Sequence, residues 1–349
     1  MNTMKRYRVL GLMSGTSLDG IDLIICTLTK NNKWKFKIEK SETLKYCKYW
    51  RKTLANLHTK NPCLISEIDI MYGKFLANNI TKFLKNKKVD LIASHGHTIL
   101  HEPNKKITLQ IGDGQTIANI TRIKTINNFR NLDVSLNGQG APLVPIGDLH
   151  LFTDYKYCVN LGGFANISIK EKNKIRAFDI CPVNIVLNKI SNQLFMEFDK
   201  NGSTAKKGKI IPELLQEIND LPYYKDTNPK SLSREWVESL IYPLLIPEYK
   251  LEDILHTFCE HIAIQIGKHL NDRSVLFTGG GVLNKYLMSR ITYYTKSKIF
   301  IPNQKIINFK EALIFSFLGV LRLRNEPNCL KSVTGATMDN CGGEINNPM

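Results

Sequence analysis

A short stretch near the amino terminus concentrates the residue types that bind phosphate. Between Gly11 and Asp22 the sequence carries three glycines, three hydroxyl side chains and two acids, and apolar runs flank it at Tyr7 to Leu12 and Ile21 to Thr29. Both runs are typical of strands, so the polar residues occupy a tight hairpin whose backbone N–H groups can form a concave anion site. We favour phosphate binding over an ordinary polar hairpin.

The two acids of this stretch, Asp19 and Asp22, indicate a cation. Carboxylates beside a phosphate are stable when a cation lies between them, typically Mg²⁺. No Gly-Lys-Ser/Thr follows, so the stretch is not a Walker A loop, and its place between strands excludes a Rossmann fingerprint. The sequence therefore predicts a phosphate and Mg²⁺ site built without either motif.

A second group of reactive residues lies between residues 128 and 143. Arg130 and Asp133 are three residues apart and precede Gly138-Gln139-Gly140. The carboxylate is a candidate general base, and the arginine is suited to orienting it or to clamping an anion. A local Asp–Arg pair that caps a loop explains them equally well in isolation. The glycine turns before and after them in the chain favour the catalytic interpretation.

Histidines cluster at Ser94-His95-Gly96-His97, followed by His101-Glu102. The His-x-His spacing is weak support for zinc. The glycine and the preceding strand favour a loop that lines a substrate site, and we rank that interpretation above metal binding.

Two further glycine turns follow. Gly162-Gly163 comes after an apolar strand, and Gly279-Gly280-Gly281 lies between a strand and a helix. Backbone amides in such turns can approach a phosphate, and a helix N-terminus favours negative charge. A plain hairpin explains the first turn almost as well, whereas a simple strand-to-helix turn does not need three glycines.

The elements that must position these residues repeat along the chain. Strand, glycine turn, strand, strand and then helices occur twice, although no repeat is visible residue by residue. This predicts an α/β protein of two similar lobes, with a nucleotide held in a cleft between them that closes by hinge motion. The predicted strands are 7–12, 21–29, 33–39, 89–94, 107–111, 157–161, 164–169, 175–179 and 275–278, and the main helices are 64–85, 113–120, 251–270, one from about 284 and 310–323.

Composition bounds the remaining possibilities. The 349 residues suffice for two domains, and 43% hydrophobic with 23% charged residues is ordinary for a soluble protein. The net charge is +17, but the lysines are dispersed, so we expect a small anionic ligand such as a nucleoside triphosphate and no nucleic-acid partner. No apolar run is typical of a membrane span or signal peptide, which predicts a cytoplasmic protein. Eight cysteines without a Cys-x-x-Cys pair argue against zinc and against a disulfide framework.

Taken together and in order, these motifs resemble those of the anhydro-N-acetylmuramic acid kinase family, within the superfamily of sugar kinases, actin and heat-shock ATPases. Met-Ser-Gly-Thr-Ser-Leu-Asp-Gly and Gly-Gln-Gly-Ala-Pro-Leu are specific to this family. The matching stretches are 11–22, 94–103, 109–113, 129–145, 160–168, 198–208, 229–235, 279–284, 311–312 and 332–336.

The resemblance implies two similar lobes of the actin-like, ribonuclease H-like type with a nucleotide cleft between them. Residues 1–145 would form the first lobe, against which the C-terminal helix packs, and residues 146–349 the second. It also implies that ATP contacts both lobes. The implied ATP-binding residues are Gly15, Thr16, Ser17, Leu18, Asp19, Gly20, Ile21, Asp22, Gly162, Gly163, Gly279, Gly280 and Gly281.

The implied reaction is cleavage of the 1,6-anhydro ring of a cell-wall sugar with phosphorylation of its O6, during peptidoglycan recycling. Asp133 would be the catalytic base with Arg130 beside it, and Mg²⁺ would lie near Asp19, directly or through water. The implied substrate residues are His95, Gln139, Gly140 and Asn166, with no nucleic-acid or membrane partner and with homodimerisation left open.

Two other functions compete with this one: phosphorylation of a hydroxyl on another amino sugar, and an ATP-driven conformational role of the actin or chaperone type. Gly138 to Pro142 disfavours the latter. The chain also differs from the family pattern, with Cys181 and Val183 in place of glycines and His97 in place of a glutamine.

Overall fold

The structure is a computed structural model that describes residues 5–15, 18–172, 174–226 and 230–349. It consists of two compact units. The first comprises Met1–Leu151 and Phe309–Met349, and the second comprises Phe152–Asn308.

The strands and helices alternate as the hydrophobic periodicity indicates, and each strand group is followed by helices that cover it. The strands are β1 (Lys5–Ser14), β2 (Gly20–Lys30), β3 (Trp34–Lys45), β4 (Leu91–Glu102), β5 (Ile107–Ile111), β6 (Thr125–Asn127), β7 (Tyr157–Leu161), β8 (Phe164–Lys170), β9 (Ile175–Pro182), β10 (Ser274–Thr278), β11 (Lys298–Phe300) and β12 (Glu344–Asn346). The α-helices are α1 (Lys48–Asn56), α2 (Pro62–Leu84), α3 (Gly114–Thr121), α4 (Asn131–Ser135), α5 (Val144–Leu151), α6 (Asn184–Gln193), α7 (Pro212–Asn219), α8 (Arg234–Leu240), α9 (Leu251–Gly267), α10 (Lys285–Tyr294), α11 (Gln304–Leu323) and α12 (Lys331–Thr334).

The two sheets share one topology. In the first unit the order is β12-β6-β4-β1-β2-β3, with β5 paired to β4, and in the second it is β11-β10-β7-β8-β9. Each sheet begins with an antiparallel three-strand meander, and the next long strand pairs parallel to the first strand of that meander. A further strand, β6 or β11, extends the parallel part. This repeated order is the ribonuclease H-like sheet, and it confirms the predicted α/β class with two similar sheets.

Each sheet is fixed by its own apolar core. In the first unit, Leu10, Leu12 and Ile21 of the meander are fully buried together with Tyr72 and Leu76 of α2. The long helix predicted at 64–85 thus packs on the meander because its apolar side chains recur at helical spacing. In the second unit a separate cluster joins β7–β10 to α6, α7, α9 and α10.

Three features of the chain differ from expectation. The segment predicted as a loop at 94–98 lies inside β4, which continues to Glu102. Gly96 adopts φ +69, the pairing of β4 with β1 is irregular around it, and the pairing with β5 shifts between Thr98 and Leu100, so the strand is bent but not interrupted. The predicted helix at 310–323 begins earlier, at Gln304, and has a kink at Phe309. Helices α1, α4, α5, α7, α8 and α12 and strands β6, β11 and β12 were not predicted.

Over the ranges described above, no helix is long and apolar enough to cross a bilayer.

Candidate active site

Asp133 lies on the short helix α4 and is completely buried. Its Oδ2 accepts a hydrogen bond from the backbone N–H of Gly140 at 2.7 Å. Its Oδ1 accepts three more, from Cys329 Sγ at 3.0 Å, Thr334 Oγ1 at 2.9 Å and Asn340 Nδ2 at 2.7 Å. A buried carboxylate is costly unless donors surround it, and these four donors compensate for the lost water.

The segment Gly138–Gly140 wraps around this carboxylate. The N–H of Gly138 donates to the carbonyl of Asp133 at 2.8 Å, and the N–H of Gln139 donates to the carbonyl of Thr334 at 2.8 Å. A Cβ at Gly138 would lie 2.1 Å from Asp133 Oδ2, which is far inside van der Waals contact. Glycine is therefore required here by Asp133 itself, and the side chain of Gln139 remains exposed.

Arg130 supports the same segment. Its Nη1 donates to the carbonyl of Gly140 at 2.6 Å, and its Nη2 donates to His95 Nε2 at 2.9 Å. Burial lowers the pKa of Arg130 to about 10, and the charges of Glu311 and Asp133 act in the opposite direction. The guanidinium therefore stays charged at neutral pH. Arg130 thus holds Gly140, whose N–H in turn donates to Asp133 Oδ2.

His95 is enclosed beneath this arrangement. It is 5% exposed, its ring packs 4.6 Å from that of Phe315, and its Nδ1 lies 3.0 Å from the carbonyl of Gly96. Burial, and then the charge of Arg130, lower the pKa of His95 to about 3. The neutral ring with its proton on Nδ1 satisfies both partners. Both ring nitrogens of this predicted substrate residue are thus engaged within the chain.

His101, by contrast, is exposed on the same strand. Its Nδ1 lies 3.0 Å from Thr108 Oγ1, and its pKa is lowered first by burial and then by the charge of Arg130. The sequence pattern grouped His101 with the other histidines but gave no sign that it alone would face outward.

The turn between β1 and β2 carries the two acids predicted to bind Mg²⁺. Thr16 and Ser17, predicted to bind phosphate, lie outside the described residues. The turn resumes at Leu18, which adopts φ +59 and whose N–H donates to the carbonyl of Gly15 at 3.3 Å. Such a backbone conformation is uncommon for a leucine and is often found at functional turns.

Asp19 is exposed, and Asp22 is half-buried with Thr43 Oγ1 donating to its Oδ1 at 2.5 Å. The pKa of Asp22 is raised by burial, and repulsion from Asp19 adds to the rise while the Thr43 bond opposes it. The charge of Asp19 is therefore close enough to Asp22 to act on its protonation.

Gly20 and Ile21 have structural roles in the same stretch. A Cβ at Gly20 would lie 2.4 Å from the carbonyl oxygen of Leu44, so glycine is needed for the pairing of β2 with β3. The side chain of Ile21 is fully buried in the core of the first unit.

Glu311 is a further acid that sequence analysis did not select as a site residue. It lies on α11, and burial of its carboxyl raises its pKa above the ordinary value. The charges of Arg130 and Lys310 oppose this rise, and that of Asp22 adds to it. The only sequence signal of Glu311 was its place in one of the matching stretches. Within the part of the chain that the structure describes, no three His, Cys, Asp or Glu side chains form a metal-binding group, which gives the zinc interpretation of the histidines no support.

The glycine turns of the second unit lie side by side. They follow β7 and β10, which are parallel neighbours with Asn160 opposite Thr278. A Cβ at Gly279 or Gly281 would lie 2.6 or 2.7 Å from atoms of Leu161, so packing of one turn on the other requires both glycines. Gly280 is exposed, and a Cβ there would have no neighbour within 4 Å.

Gly163 is also exposed, with the nearest atom 4.0 Å from a Cβ, whereas a Cβ at Gly162 would lie in tight contact with Asn160 Nδ2 at 3.3 Å. The protein's own packing therefore does not explain glycine at Gly163 or Gly280. Open backbone at both is suited to close approach by a ligand.

Asn166, predicted to bind substrate, lies on β8 of the second unit. It is half-buried, and its Nδ2 donates to Asp179 Oδ1 at 3.2 Å. Cys181 and Val183, where the family resemblance predicts glycines, are fully buried in the core of this unit. Both side chains fill space that the core provides.

The predicted residues thus fall into three groups. Asp133, Arg130, His95, Gln139 and Gly140 are brought together in the first unit. Asp19 and Asp22 form the acidic turn of that unit. The second unit holds Asn166 and the turns at Gly162–Gly163 and Gly279–Gly281.

Comparison with known proteins gives a consistent family. The model of the anhydro-N-acetylmuramic acid kinase family matches residues 7–347. Among curated relatives, the anhydro-N-acetylmuramic acid kinase of Francisella tularensis subsp. novicida (strain U112) is 35% identical, with 98% of this chain and 100% of that protein covered. The enzyme of the same name from Sulfurovum sp. (strain NBC37-1) is 32% identical over 95% and 97%.

Solved structures are more distant. Component A of (R)-2-hydroxyglutaryl-CoA dehydratase from Acidaminococcus fermentans has a TM-score of 0.46 and 13% identity, covering 89% of this chain and 96% of that one. A ROK family glucokinase from Streptomyces griseus, in complex with glucose and AMPPNP, has a TM-score of 0.39 and 9% identity over 89% and 98%. At these TM-scores the similarity carries no functional argument, and the fold is described from the two sheets alone.

Proposed function

The chain belongs to the anhydro-N-acetylmuramic acid kinase family, and from that premise we propose that it hydrolyses the 1,6-anhydro ring of 1,6-anhydro-N-acetylmuramic acid and phosphorylates O6, using ATP. As a family member it is a kinase, a phosphotransferase with an alcohol group as acceptor. The products would be N-acetylmuramic acid 6-phosphate and ADP. We place this reaction in the cytoplasm, in the recycling of peptidoglycan sugars.

We assign ATP binding to the turn Gly15 to Asp22 and to the second unit's turns at Gly162–Gly163 and Gly279–Gly281. The support is that Gly163 and Gly280 are exposed and have space where a Cβ would be. A matched pair tests this: Gly280→Ala should raise the KM for ATP without loss of stability. Gly279→Ala, at φ +85 and 2.6 Å from Leu161, should destabilise the fold.

Asp19 and Asp22 have the chemistry to hold Mg²⁺. Both present carboxylate oxygens, one exposed and one half-buried, and Mg²⁺ is usually bound by one or two carboxylates together with substrate phosphates. When bound, the ion would neutralise charge on the transferring phosphoryl group. Asp19 would contact it directly or through a water.

The observation that carries the ring-opening proposal is Asp133 held beside Arg130 by the Gly138–Gly140 segment. In the proposed step Asp133 takes a proton from a water that attacks the anomeric carbon. The bond between this carbon and O6 breaks, and O6 takes the γ-phosphoryl group of ATP. Phosphoryl transfer thereby replaces the general acid that normally protonates a departing sugar oxygen.

Water must reach Asp133 for this step. The side chain is completely covered, and the Gly138–Gly140 segment lies directly against Oδ2. Access therefore requires this segment to shift, which would break the bond from the Gly140 N–H. Exposed Gln139 is the residue of the segment best placed to respond to a sugar, and it is our first candidate for a substrate contact.

A turnover assay in ¹⁸O-labelled water tests the proposal. With ATP and the anhydro sugar, we expect a phosphorylated product with an open ring and the label on its anomeric oxygen. Label in the phosphate, or a phosphorylated sugar whose ring is still closed, would contradict the mechanism. Phosphorylation of another amino sugar in preference to the anhydro sugar would establish the simpler hydroxyl kinase instead.

A further inference from the structure

We propose that Thr334 and Asn340, assisted by Cys329, are positioning residues for Asp133, and that they direct Oδ2 to act as the basic atom. This inference rests on the proposed function, because it presupposes that Asp133 is the base. It goes beyond that function by assigning a role to the C-terminal loop, which we define as residues 328–342.

The two carboxylate oxygens of Asp133 are not equivalent. Oδ1 receives three side-chain donors within 3.0 Å, from Cys329, Thr334 and Asn340. Oδ2 receives one donor, the N–H of Gly140. An ionised carboxylate has about four lone-pair sites over its two oxygens. Three donors saturate Oδ1, so the remaining acceptor capacity belongs to Oδ2, on the side covered by Gly138.

The three donors belong to one closed loop. Cys329 and Asn340 face each other as an antiparallel bridge, with backbone hydrogen bonds of 3.0 Å in both directions. Asn328 ties the two ends of the loop together, because its side chain donates to the carbonyl of Gly342 at 2.8 Å and accepts from the N–H of Gly342 at 2.7 Å. Helix α12 lies inside the loop and ends at Thr334. The loop therefore presents its donors as a unit.

These donors also keep their protons at neutral pH. Burial raises the pKa of the Cys329 thiol, and the adjacent Asp133 charge raises it further, so Cys329 remains an S–H donor at neutral pH. The charged group that faces this site from α4 is Arg130, on which Glu311 of α11 acts in turn. The C-terminal loop thus stabilises the carboxylate with neutral donors and leaves the positive charge on the side of Gly140.

Losing one of these donors should make Asp133 easier to protonate. A hydrogen bond to an ionised carboxylate favours the charged form, so its removal moves the acid limb of the pH profile to higher pH. Release of Oδ1 should also let the carboxylate rotate and misplace Oδ2. Both effects should reduce kcat and leave the KM for ATP unchanged.

The experiment compares Thr334→Val with Thr334→Ser. Valine keeps the shape without the hydroxyl, and serine keeps the hydroxyl. We expect Thr334→Val to move the acid limb of kcat/KM for the sugar to higher pH and to lower kcat about tenfold. Thr334→Ser should restore both. Asn340→Asp, which replaces a donor by a second carboxylate, should move the limb further in the same direction.

Asp133→Asn, measured in parallel, separates this inference from the proposed function. If Asp133→Asn is inactive but Thr334→Val and Asn340→Asp keep the wild-type acid limb, the positioning role is wrong and the base assignment stands. If Asp133→Asn remains active, the base assignment itself fails. Should Thr334→Val not fold, Cys329→Ala removes the weakest donor of the set, and an unmoved acid limb in that variant and in Asn340→Asp overturns the inference.

Discussion

Two sets of acids in the first unit are held in opposite ways. Asp133 is completely buried and receives four hydrogen bonds, whereas Asp19 is exposed and Asp22 receives one side-chain bond, from Thr43. The buried acid is fixed in orientation by neutral donors. The acids of the turn repel each other, and this repulsion adds to the rise in the pKa of Asp22. This difference suits the first to a proton-transfer step at one position, and the second to a cation that arrives with its ligand.

The largest effect should come from removing the buried carboxylate. Asp133→Asn cannot take a proton from water, and general-base assistance is worth about 10² to 10⁴ in rate. We expect product formation to fall by at least that range while ATP still binds. Isothermal titration with a non-hydrolysable ATP analogue and a product assay would measure the two separately.

Folding must be checked in the same variant. The new amide N–H₂ would face either the Gly140 N–H or the donors of the C-terminal loop, so some loss of stability is expected. A variant that binds the analogue, unfolds cooperatively in urea and still turns over at near the wild-type rate would show that Asp133 is not the base.

The next largest effect should come from Gly138→Ala. The added Cβ would lie 2.1 Å from Asp133 Oδ2 and would push the carboxylate from its position. A displacement of about 1 Å can cost about 10²-fold in rate, so we expect kcat/KM for the sugar to fall by about that factor. The KM for ATP should be unchanged. Wild-type activity here would show that the added methyl group does not displace the Asp133 carboxylate and that its contact with Gly138 has no bearing on proton transfer.

These two predictions concern residues whose relationship the sequence showed only in part. The meander of β1, β2 and β3, the glycine turns and the proximity of Asp133 to Gly138 are local features, and hydrophobic periodicity or short spacing was enough to predict them. The donors on Oδ1 come from 196 to 207 residues further along the chain. No local pattern marks Thr334 or Asn340 as partners of Asp133.

The histidines of β4 show why a polar pattern misled. His95 and His97 were predicted to belong to a loop that lines a substrate site, yet both are buried within a strand. His97 Nδ1 is hydrogen-bonded to Ser14 Oγ at 2.8 Å, and both ring nitrogens of His95 are engaged, by Arg130 and Gly96. Burial lowers the pKa of His97 to about 4, so it is neutral near pH 7. A histidine that can be kept neutral tolerates a strand interior, which its hydropathy alone does not reveal.

The acidic turn should respond to Asp19→Asn in a different manner. Losing an exposed carboxylate should leave the fold intact, while the Mg²⁺ concentration needed for half-maximal turnover should rise about tenfold or more. Titration of turnover with Mg²⁺ at saturating ATP measures this. Asp272→Asn, at an acid with a side chain 79% exposed in the second unit, is the matched control and should change nothing. An unchanged Mg²⁺ requirement in Asp19→Asn would remove this residue from the cation site.

The smallest effect should be on stability, at Asp22. Burial and repulsion from Asp19 raise the pKa of Asp22 in the folded state above its ordinary value of 3.8. The folded state therefore holds this proton more tightly than the unfolded state does, and the free energy of unfolding falls as pH rises from 3.8 through the raised pKa.

The variant Asp22→Asn removes that loss of stability. Urea unfolding of the variant and the wild type should show the variant gaining in relative stability as pH rises through this window and keeping the gain at neutral pH. Asp19→Asn should shift the wild-type transition of Asp22 toward lower pH, because the repulsion is gone. If instead Asp22→Asn loses relative stability as pH rises, then Asp22 is stabilised as a carboxylate even without a cation, and the contrast between the buried and the exposed acids would not hold.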